Sequence, residues 1–261
     1  MISKNKIKSI KLLEQKKHRD STGTFVAEGP KVVADIFSRH ADRLTTLVAT
    51  REWIETAGRE IVAKTHAELW EVSPEELNRT SLLCHPQHVL AIFEKMNKEL
   101  DMASLRDRLS LMLDGVQDPG NLGTIIRIAD WFGIEHIICS NDTADVYNPK
   151  VIQATMGSIA RVSVHYCDLH GLMDVMPEGF PVYGTLLEGD NIYNVSLKSR
   201  GFIVMGNEGK GLSTAMRSRV TRALRIPNFP PGRETTDSLN VAVATAVVCS
   251  EFRRQQNIIL P

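Results

Sequence analysis

The feature that most constrains the fold is a regular alternation of apolar and amphipathic segments from residue 109 onward. The apolar segments have the length of buried strands, and they lie at residues 109–113, 136–139, 162–166, 182–186, 202–205 and 223–226. Helical segments lie between and after them, at residues 121–132, 150–159 and 169–175, from Ser213, and at 239–254. Strands that alternate with helices predict an α/β fold with a mainly parallel sheet and helices on both faces.

A smaller α/β pattern precedes this region. Its predicted helices lie at residues 3–17, 31–38, 52–56 and 74–82, and its predicted strands at 44–49, 61–63 and 89–93. Residues 96–108 are rich in charge and have no clear periodicity, which indicates a linker or a short linking helix. The sequence therefore predicts a small α/β domain at 1–95, a linker at 96–108 and a larger α/β domain at 109–261.

The composition is that of an ordinary globular protein, with 43% hydrophobic and 24% charged residues. No apolar run approaches the roughly 18 residues that span a membrane, and the first residues lack the apolar segment of a signal peptide. The four cysteines form no CxxC pair. We therefore expect a cytoplasmic protein with reduced thiols, without a metal site and without membrane association.

Basic residues are distributed unevenly, although the net charge of the chain is zero. Residues 1–19 carry seven basic side chains against one acidic side chain, and residues 217–225 form a second basic run without an acid. Taken alone, the two runs are better explained as an exposed helix face and a helix end. Basic clusters are also typical contacts for RNA phosphates. The candidate RNA contacts are Lys4, Lys8, Lys11, Arg19, Arg217 and Arg222.

A glycine-rich loop, residues 206–211, follows the predicted strand at 202–205. Its three glycines permit a tight turn and a close approach of the backbone to a ligand. Ligands of α/β folds bind where strands end, although an ordinary glycine turn would explain such a loop by itself. Neither phosphate-binding template fits: no GxGxxG occurs near Gly120, and Lys210 is followed by glycine instead of the Walker A Ser or Thr.

Two further polar segments follow predicted strands. Residues 114–123 lead into a helix in which Asn121 stands at the start and Arg127 lies off the apolar stripe. A helix cap and an exposed helix arginine are the alternative interpretations of these two residues. Near the C-terminus, Ser238 is a natural N-cap for the last helix. Capping by Ser238 leaves the polar Asn240 unexplained at the start of an apolar helix.

In this order and spacing, the three segments resemble the SpoU (TrmH) branch of the SPOUT RNA methyltransferases. The resemblance covers residues 109–256, and its matching positions are Asn121, Gly123, Arg127, Ala129, Gly206, Asn207, Glu208, Gly209, Gly211, Ile226, Pro227, Ser238, Leu239, Asn240, Val241 and Ala244. The first 95 residues are similar in pattern and length to the small substrate-binding domain of many members. Residues 228–237 depart from the family, because their loop is longer than the usual one.

The resemblance implies a homodimer with a C-terminal trefoil knot, which is an exception to the rule against knotted chains. It implies methylation of a ribose 2′-hydroxyl in structured RNA, with rRNA favoured over tRNA, and S-adenosylmethionine as the cofactor, without a metal. The cofactor-binding residues would be Thr185, Leu186, Gly206, Asn207, Ile226, Ser238 and Leu239. The catalytic residues would be Arg127, Asn121, Glu208, Ser238 and Asn240.

Arg127 corresponds to the family arginine that is often proposed as the base. A guanidinium with a pKa above about 12 is a poor proton acceptor at neutral pH. We therefore expect Arg127 to bind a phosphate beside the target ribose and to stabilise the developing alkoxide. The proton would pass to that phosphate, or to an Arg127 whose charge is locally suppressed. Asn121 would position Arg127 or the ribose, and Glu208 would orient the loop and the arginine.

Two other classes of function are alternatives to this one. The first is a non-catalytic RNA-binding or ribosome-assembly factor on the same fold, and it is disfavoured because the polar residues of all three segments are present. The second is a nucleotide-binding dehydrogenase or NTPase, and it is disfavoured because GxGxxG and Walker A are missing.

Overall fold

The computed structural model of the chain describes residues 2–96, 99–234 and 236–257. Residues 97 and 98 of the expected linker, Thr235 of the third loop and residues 258–261 of the expected larger domain lie outside the described residues. The chain divides into two compact units. The N-terminal unit comprises Met1–Asn97 and Asp145–Ala160, and the C-terminal unit comprises Lys98–Ala144 and Arg161–Pro261.

Twelve α-helices and ten strands are found within the described residues. The helices are α1 (Lys4–Leu12), α2 (Lys16–Thr22), α3 (Pro30–His40), α4 (Arg51–Glu55), α5 (Arg59–Lys64), α6 (Pro74–Thr80), α7 (Met102–Asp107), α8 (Pro119–Trp131), α9 (Pro149–Thr155), α10 (Leu169–Asp174), α11 (Thr214–Arg217) and α12 (Val241–Asn257). The strands are β1 (Thr24–Glu28), β2 (Leu44–Thr50), β3 (Glu68–Val72), β4 (Val89–Glu94), β5 (Leu109–Asp114), β6 (His136–Cys139), β7 (Ser163–Tyr166), β8 (Val182–Asn191), β9 (Gly201–Gly206) and β10 (Arg222–Arg225).

The N-terminal unit is built on a four-stranded mixed sheet in the order β1-β4-β2-β3. Strands β2 and β3 are parallel, whereas β4 is antiparallel to both of its neighbours. One face of the sheet buries Val26, Val48 and Leu90 against Ile10 of α1 and Leu77 of α6. The apolar side of the basic N-terminal helix is thus part of the core, which leaves its lysines outside.

Residues 145–160, which we expected within the larger domain, belong to the N-terminal unit. Tyr147 packs its ring 4.8 Å from that of Phe25, and its hydroxyl bonds both backbone groups of Met96. Asp145 accepts two hydrogen bonds from Arg19, at 2.6 and 3.2 Å. Aromatic burial and a buried ion pair therefore anchor this segment.

The C-terminal unit is built on a six-stranded, all-parallel sheet in the order β10-β8-β9-β5-β6-β7. The middle strands β5 and β9 are buried along almost their whole length, as expected when helices cover both faces. On one face, Met112 and Val204 pack against Leu172 of α10 and Met216 of α11. The structure confirms the predicted α/β class and parallel sheet. The trefoil knot stays a prediction.

Two predictions about individual elements are wrong, and two strands were missed. Residues 61–63 are not a strand but part of the helix α5, in which Ile61 alone is buried. A three-residue apolar run does not distinguish the two structures. Strands β1 and β3 were not predicted as strands. The single helix expected at 3–17 is divided into α1 and α2 by a turn that follows the buried Leu13.

Candidate active site

The three polar segments meet at one edge of the parallel sheet. Strands β5 and β9 are neighbours, and their last residues, Asp114 and Gly206, pair with each other. Because parallel strands end at the same edge, the loops that follow them leave the sheet side by side. The first segment and the glycine-rich loop, far apart in sequence, are therefore adjacent in space.

The glycine-rich loop is closed on itself. Asn207 and Gly211 exchange two backbone hydrogen bonds of 3.0 and 2.9 Å. A Cβ on Gly206 would lie 2.3 Å from the carbonyl carbon of Gly211, so a larger residue would open the loop. The side chain of Asn207 donates to the carbonyl of Gly115 at 2.8 Å and accepts from two N–H groups within the loop. Asn207 thus fixes the loop to the first segment.

Three side chains from the three segments form a continuous hydrogen-bonded chain. The Asn240 amide donates to Oδ1 of Asn121 at 2.9 Å, and the Asn121 amide donates to Oε1 of Glu208 at 3.0 Å. Glu208 also accepts from the backbone N–H groups of Gln117 and Asp118, at 3.3 and 3.1 Å. We call Asn240, Asn121 and Glu208 the amide relay.

The two ends of the amide relay determine the orientation of both amides. At one end, Oδ1 of Asn240 accepts from the N–H groups of Ala242 and Val243, in the first turn of α12. At the other end, the Glu208 carboxylate can only accept hydrogen bonds. Each amide must therefore point its oxygen toward the helix end and its nitrogen toward the carboxylate. Flipping either amide would place two acceptors against each other.

Glu208 is held as a carboxylate. Desolvation by partial burial raises its pKa, but the hydrogen bonds from Asn121 and from the N–H groups of Asp118 and Gln117 outweigh this effect. The pKa of Glu208 therefore lies below its usual value, and the side chain is ionised at neutral pH.

The helices α8 and α12 run side by side in the same direction. Their N-termini meet in the contact between Asn121 and Asn240, while Arg253 of α12 donates to the carbonyls of Phe132 and Gly133 after α8, at 2.7 and 3.0 Å. The N-terminus of a helix carries a partial positive charge. Two such ends therefore point toward the amide relay, where they favour negative charge.

Arg127 is exposed on α8 and forms no hydrogen bond or ion pair with the described residues. It lies six positions after Asn121, which is about 9 Å along the helix axis and about 120° around it. The structure therefore brings together Asn121, Glu208 and Asn240 of the predicted catalytic residues, but Arg127 points elsewhere within this chain.

The prediction that Ser238 caps the last helix is wrong. The helix begins at Val241, and Asn240 is its cap, because Oδ1 of Asn240 accepts from the first-turn N–H groups. Ser238 and Leu239 are exposed in the segment before the cap. Oδ1 of Asn240 caps the helix, and Nδ2 of the same amide donates to Asn121. These two contacts explain why a polar residue precedes the apolar helix.

Of the predicted cofactor-binding residues, Thr185 and Leu186 lie in β8 and Ile226 directly follows β10, while Gly206 and Asn207 lie at the end of the neighbouring β9. Pairing between these strands jumps from Ala223–Gly184 to Leu224–Asp190, so residues 185–189 have no partner there. They have no register partner in β9 either, within the described residues. Thr185 donates to the carbonyl of Val204 at 2.9 Å, and Leu186 and Ile226 are half-buried. The backbone N–H and C=O groups of residues 185–189 are therefore available for a ligand, beside the apolar side chains of Leu186 and Ile226.

The candidate RNA contacts fall into two groups. Lys4 and Lys8 are exposed on α1. The others have contacts within the protein: Lys11 donates to the Ser81 carbonyl, Arg217 donates to the Leu212 carbonyl at 3.1 Å, and Arg222 pairs with Asp190 at 3.0 Å.

Arg19 cannot act as the predicted RNA contact in this structure, because only 1% of the residue is exposed. Its guanidinium binds Asp145 and the carbonyls of Leu13 and Glu14. In the sequence, Arg19 belongs to the basic run at residues 1–19, but in the folded protein its side chain is buried.

Sequence reasoning missed Asp118. Its Oδ1 accepts from the N–H of Asn121 at 2.7 Å and caps α8, while its own N–H donates to Glu208. The signal was present in the Asp-Pro-Gly sequence, since Asp is a preferred N-cap and Pro a preferred first residue of a helix. Because Asp118 caps α8, the side chain of Asn121 is free to join the amide relay.

Neither a membrane-spanning helix nor a metal-binding cluster is found in the described residues. Every helix there is too short or too polar to cross a bilayer. Within the same residues, no three His, Cys, Asp or Glu side chains are grouped so that they could hold a metal ion.

Comparison with known proteins gives matches along nearly the whole chain. The profile described as the SpoU rRNA Methylase family matches residues 108–250, and that of the MRM3-like substrate binding domain matches residues 4–91. The 23S rRNA (guanosine(2553)-2′-O)-methyltransferase of Bacillus subtilis is 31% identical, over 95% of this chain and 96% of that protein.

Solved structures match over similar lengths. A TrmH-family structure from Porphyromonas gingivalis is 36% identical with a TM-score of 0.83, and the match covers 98% of this chain and 99% of that one. An AdoMet-bound rRNA methyltransferase from Sinorhizobium meliloti is 31% identical with a TM-score of 0.83, and the match covers 100% of this chain and 97% of that one.

Proposed function

Because the chain belongs to the SpoU rRNA methylase family, we propose that it transfers a methyl group from S-adenosylmethionine to a ribose 2′-hydroxyl of ribosomal RNA. The observation that carries this proposal is the amide relay, which joins the three family segments at one sheet edge. Ribosomal RNA is favoured over tRNA because the B. subtilis relative, similar over its whole length, is named for 23S rRNA.

The residues at the edge of β8 and β10 suit the cofactor. An adenine ring needs apolar surfaces on its faces and hydrogen-bonding groups at its rim. Leu186, Ile226 and Leu239 offer the apolar surface, and the unpaired backbone of residues 185–189 offers the polar groups. When bound, S-adenosylmethionine supplies an electrophilic methyl group on a sulfonium.

The protein's own residues have to orient the ribose and stabilise negative charge on its oxygen. Asn121 is held by both of its neighbours in the amide relay, so its position is fixed before substrate arrives. The N-termini of α8 and α12 favour an anion at this place, whether an RNA phosphate or the developing alkoxide. Glu208 remains a carboxylate that holds Asn121 and the loop of the first segment. It acts as a positioning residue in this proposal.

Arg127 enters the site from a second copy of the chain in this proposal. The exposed face of α8 that carries Arg127 also carries Trp131, four residues later and 84% exposed. A large exposed aromatic residue beside an arginine is typical of a protein interface. The enzyme is thus a homodimer in which Arg127 of one protomer binds the phosphate beside a ribose held by the other. A cytoplasmic location is part of the same proposal.

The function is tested by mapping ribose methylation in total RNA from cells with and without the gene. We expect at least one 2′-O-methyl group in rRNA to disappear without the gene and to return with the wild-type gene. Arg127→Ala should not restore it, although the purified variant should still bind S-adenosylmethionine in calorimetry. Identical methylation maps would refute the function, and restoration by Arg127→Ala would refute the role of the arginine.

Mixed dimers test the shared site. In a dimer of one Arg127→Ala and one Asn240→Ala protomer, a shared site brings both changes together in one site and leaves the other intact. Random mixing makes half of the dimers mixed, so about a quarter of the wild-type activity should return. If each site lies within one chain, mixing two inactive variants restores nothing.

A further inference from the structure

A second cleft lies at the same sheet edge, on the opposite side from the expected cofactor pocket. It follows the ends of β5, β6 and β7 and has a volume of about 240 Å³. Its lining residues are Asp114, Ser140, Asn141, Cys167, Asp168, Leu169, His170 and Met216. Ligand pockets for drug-sized molecules measure about 300–1,000 Å³. This cleft is smaller, and it has room for a single nucleobase.

The cleft adjoins the amide relay. Asp114 lines it, and the next residue, Gly115, accepts the hydrogen bond from Asn207 that fixes the glycine-rich loop. The relay residue Glu208 immediately follows Asn207 in that loop. A base in the cleft would therefore have its ribose over the middle of the sheet edge, between the cleft and the cofactor side. Methyl transfer requires the order base, ribose and cofactor, because the ribose 2′-oxygen must lie next to the methyl group of the cofactor.

Two of the lining residues, Asp114 and Asp168, are carboxylates that can only accept hydrogen bonds. The two oxygens of Asp168 accept from the N–H groups of His170 and Gly171, and Oδ2 of Asp114 accepts from that of Ser213. A carboxylate has about four acceptor sites, so both side chains can accept more hydrogen bonds. The Asn141 amide has no partner among the described residues and can donate. Leu169 and Met216, which belong to the buried core, close the floor of the cleft.

Only one of the four RNA bases presents two adjacent donors to a carboxylate. The Watson–Crick edge of guanine has N1–H beside the N2 amino group, with O6 next to them as an acceptor. Uracil has one N–H between two carbonyls, and adenine and cytosine pair a donor with a ring acceptor. Proteins read unstacked RNA bases on these edges. An aspartate with a nearby amide donor therefore matches guanine and disfavours the other three bases.

We propose that this cleft binds the base of the nucleotide that is methylated, and that its aspartates select guanine. Asp168 or Asp114 accepts from N1–H and the amino group, and Asn141 donates to O6. The aspartates are specificity-determining residues and take no part in methyl transfer. This inference rests on the proposed function for its place in the reaction, but the preference of the cleft for guanine can be measured without catalysis.

The first test measures binding of GMP, UMP, AMP and CMP to the full-length protein in the presence of S-adenosylhomocysteine, by NMR titration. GMP should bind at least tenfold more tightly than the others. Asp168→Asn should weaken GMP binding at least tenfold, because hydrogen bonds to a charged group are among the stronger ones. Asn caps a helix as well as Asp, so α10 should remain folded. Asp114→Asn is a second variant with the same expected direction.

Asp174→Asn is the matched control, because Asp174 lies on the same helix, is exposed and pairs with Arg219 outside the cleft. It should leave GMP binding unchanged. Equal affinities for the four nucleotides, or GMP binding that neither cleft variant changes, would overturn the proposal even if rRNA methylation is found. A mapped methylation site that is not a guanosine would also overturn it. Complete absence of methylation would instead refute the proposed function, while the nucleotide titration would still decide what the cleft prefers.

Discussion

Replacing Asn240 by Asp changes one donor into an acceptor and leaves the shape almost unchanged. In the wild-type protein, Nδ2 of Asn240 donates to Oδ1 of Asn121 at 2.9 Å. In Asn240→Asp, two oxygens would face each other at about this distance. Asn121 could flip to restore this contact, but its carbonyl would then face the Glu208 carboxylate. A flip of Asn121 therefore transfers the unfavourable contact between two acceptors from the Asn240 side to the Glu208 side and does not remove it.

The expected magnitude follows from one unsatisfied polar contact. Water can satisfy these exposed groups in the free protein, but once bound RNA has displaced that water, such a contact costs about 1–3 kcal/mol. If the relay positions the ribose only in the transition state, kcat/KM should fall roughly 5- to 150-fold. Global stability should hardly change, because Asp caps a helix as well as Asn and its charge suits the helix N-terminus. We expect Tm to shift by no more than about 2 °C.

The assay is transfer of labelled methyl groups from S-adenosylmethionine to rRNA, together with Tm and cofactor binding by calorimetry. Asn148→Asp is the matched control, because Asn148 caps α9 through the N–H of Lys150 and is not part of the relay. The control should keep wild-type kcat/KM. Wild-type activity of Asn240→Asp would refute the directional relay. A large fall in Tm would show that the substitution damages the fold instead.

Three further predictions concern other parts of the molecule. Gly206→Ala should weaken binding of S-adenosylmethionine at least tenfold in calorimetry, since its Cβ would lie 2.3 Å from a backbone carbon of the same loop, whereas Gly209→Ala, with no neighbour closer than 3.7 Å, should bind normally. Burial raises the pKa of Glu28, although the hydrogen bonds that its carboxylate accepts lower it. The protonated side chain therefore contributes stability that is fully present below the unfolded pKa of about 4.3. This stability is lost as the pH rises through the higher pKa of the folded protein. Glu28→Gln should therefore remove this loss, and urea melts at neutral pH should show the variant at least as stable as the wild type. Asp145→Ala should destabilise the N-terminal unit by about 3–5 kcal/mol in urea unfolding, because it leaves the buried guanidinium of Arg19 without its ion-pair partner, and a change below about 1 kcal/mol would contradict this account.

Periodicity predicted most of the C-terminal unit, because its strands are buried on both faces and read as continuous apolar runs. It did less well in the N-terminal unit. Strand β3 at the sheet edge is largely exposed and lacks such a run, and the run at 61–63 is one turn of α5. Short apolar segments are ambiguous until the packing around them is known.

The candidate site was predictable as a set of residues but not as a geometry. The order of the segments identified Asn121, Glu208 and Asn240, yet their contacts depend on strands β5 and β9 being neighbours in the sheet. The sequence also assigned the cap of α12 to Ser238, since Ser and Asn are both good caps and only the backbone conformation decides between them.

The sequence by itself thus determined the fold class, most elements of the C-terminal unit and the polar residues of the three segments, because hydrophobic periodicity and local backbone preferences act over a few residues. Only the tertiary structure decided which strand ends are adjacent, that Arg19 is buried against Asp145, that residues 145–160 belong to the N-terminal unit, and that one amide of Asn240 both caps a helix and holds Asn121. These outcomes depend on contacts between residues as many as 126 positions apart. Such contacts are set by burial and strand order, which no local pattern encodes.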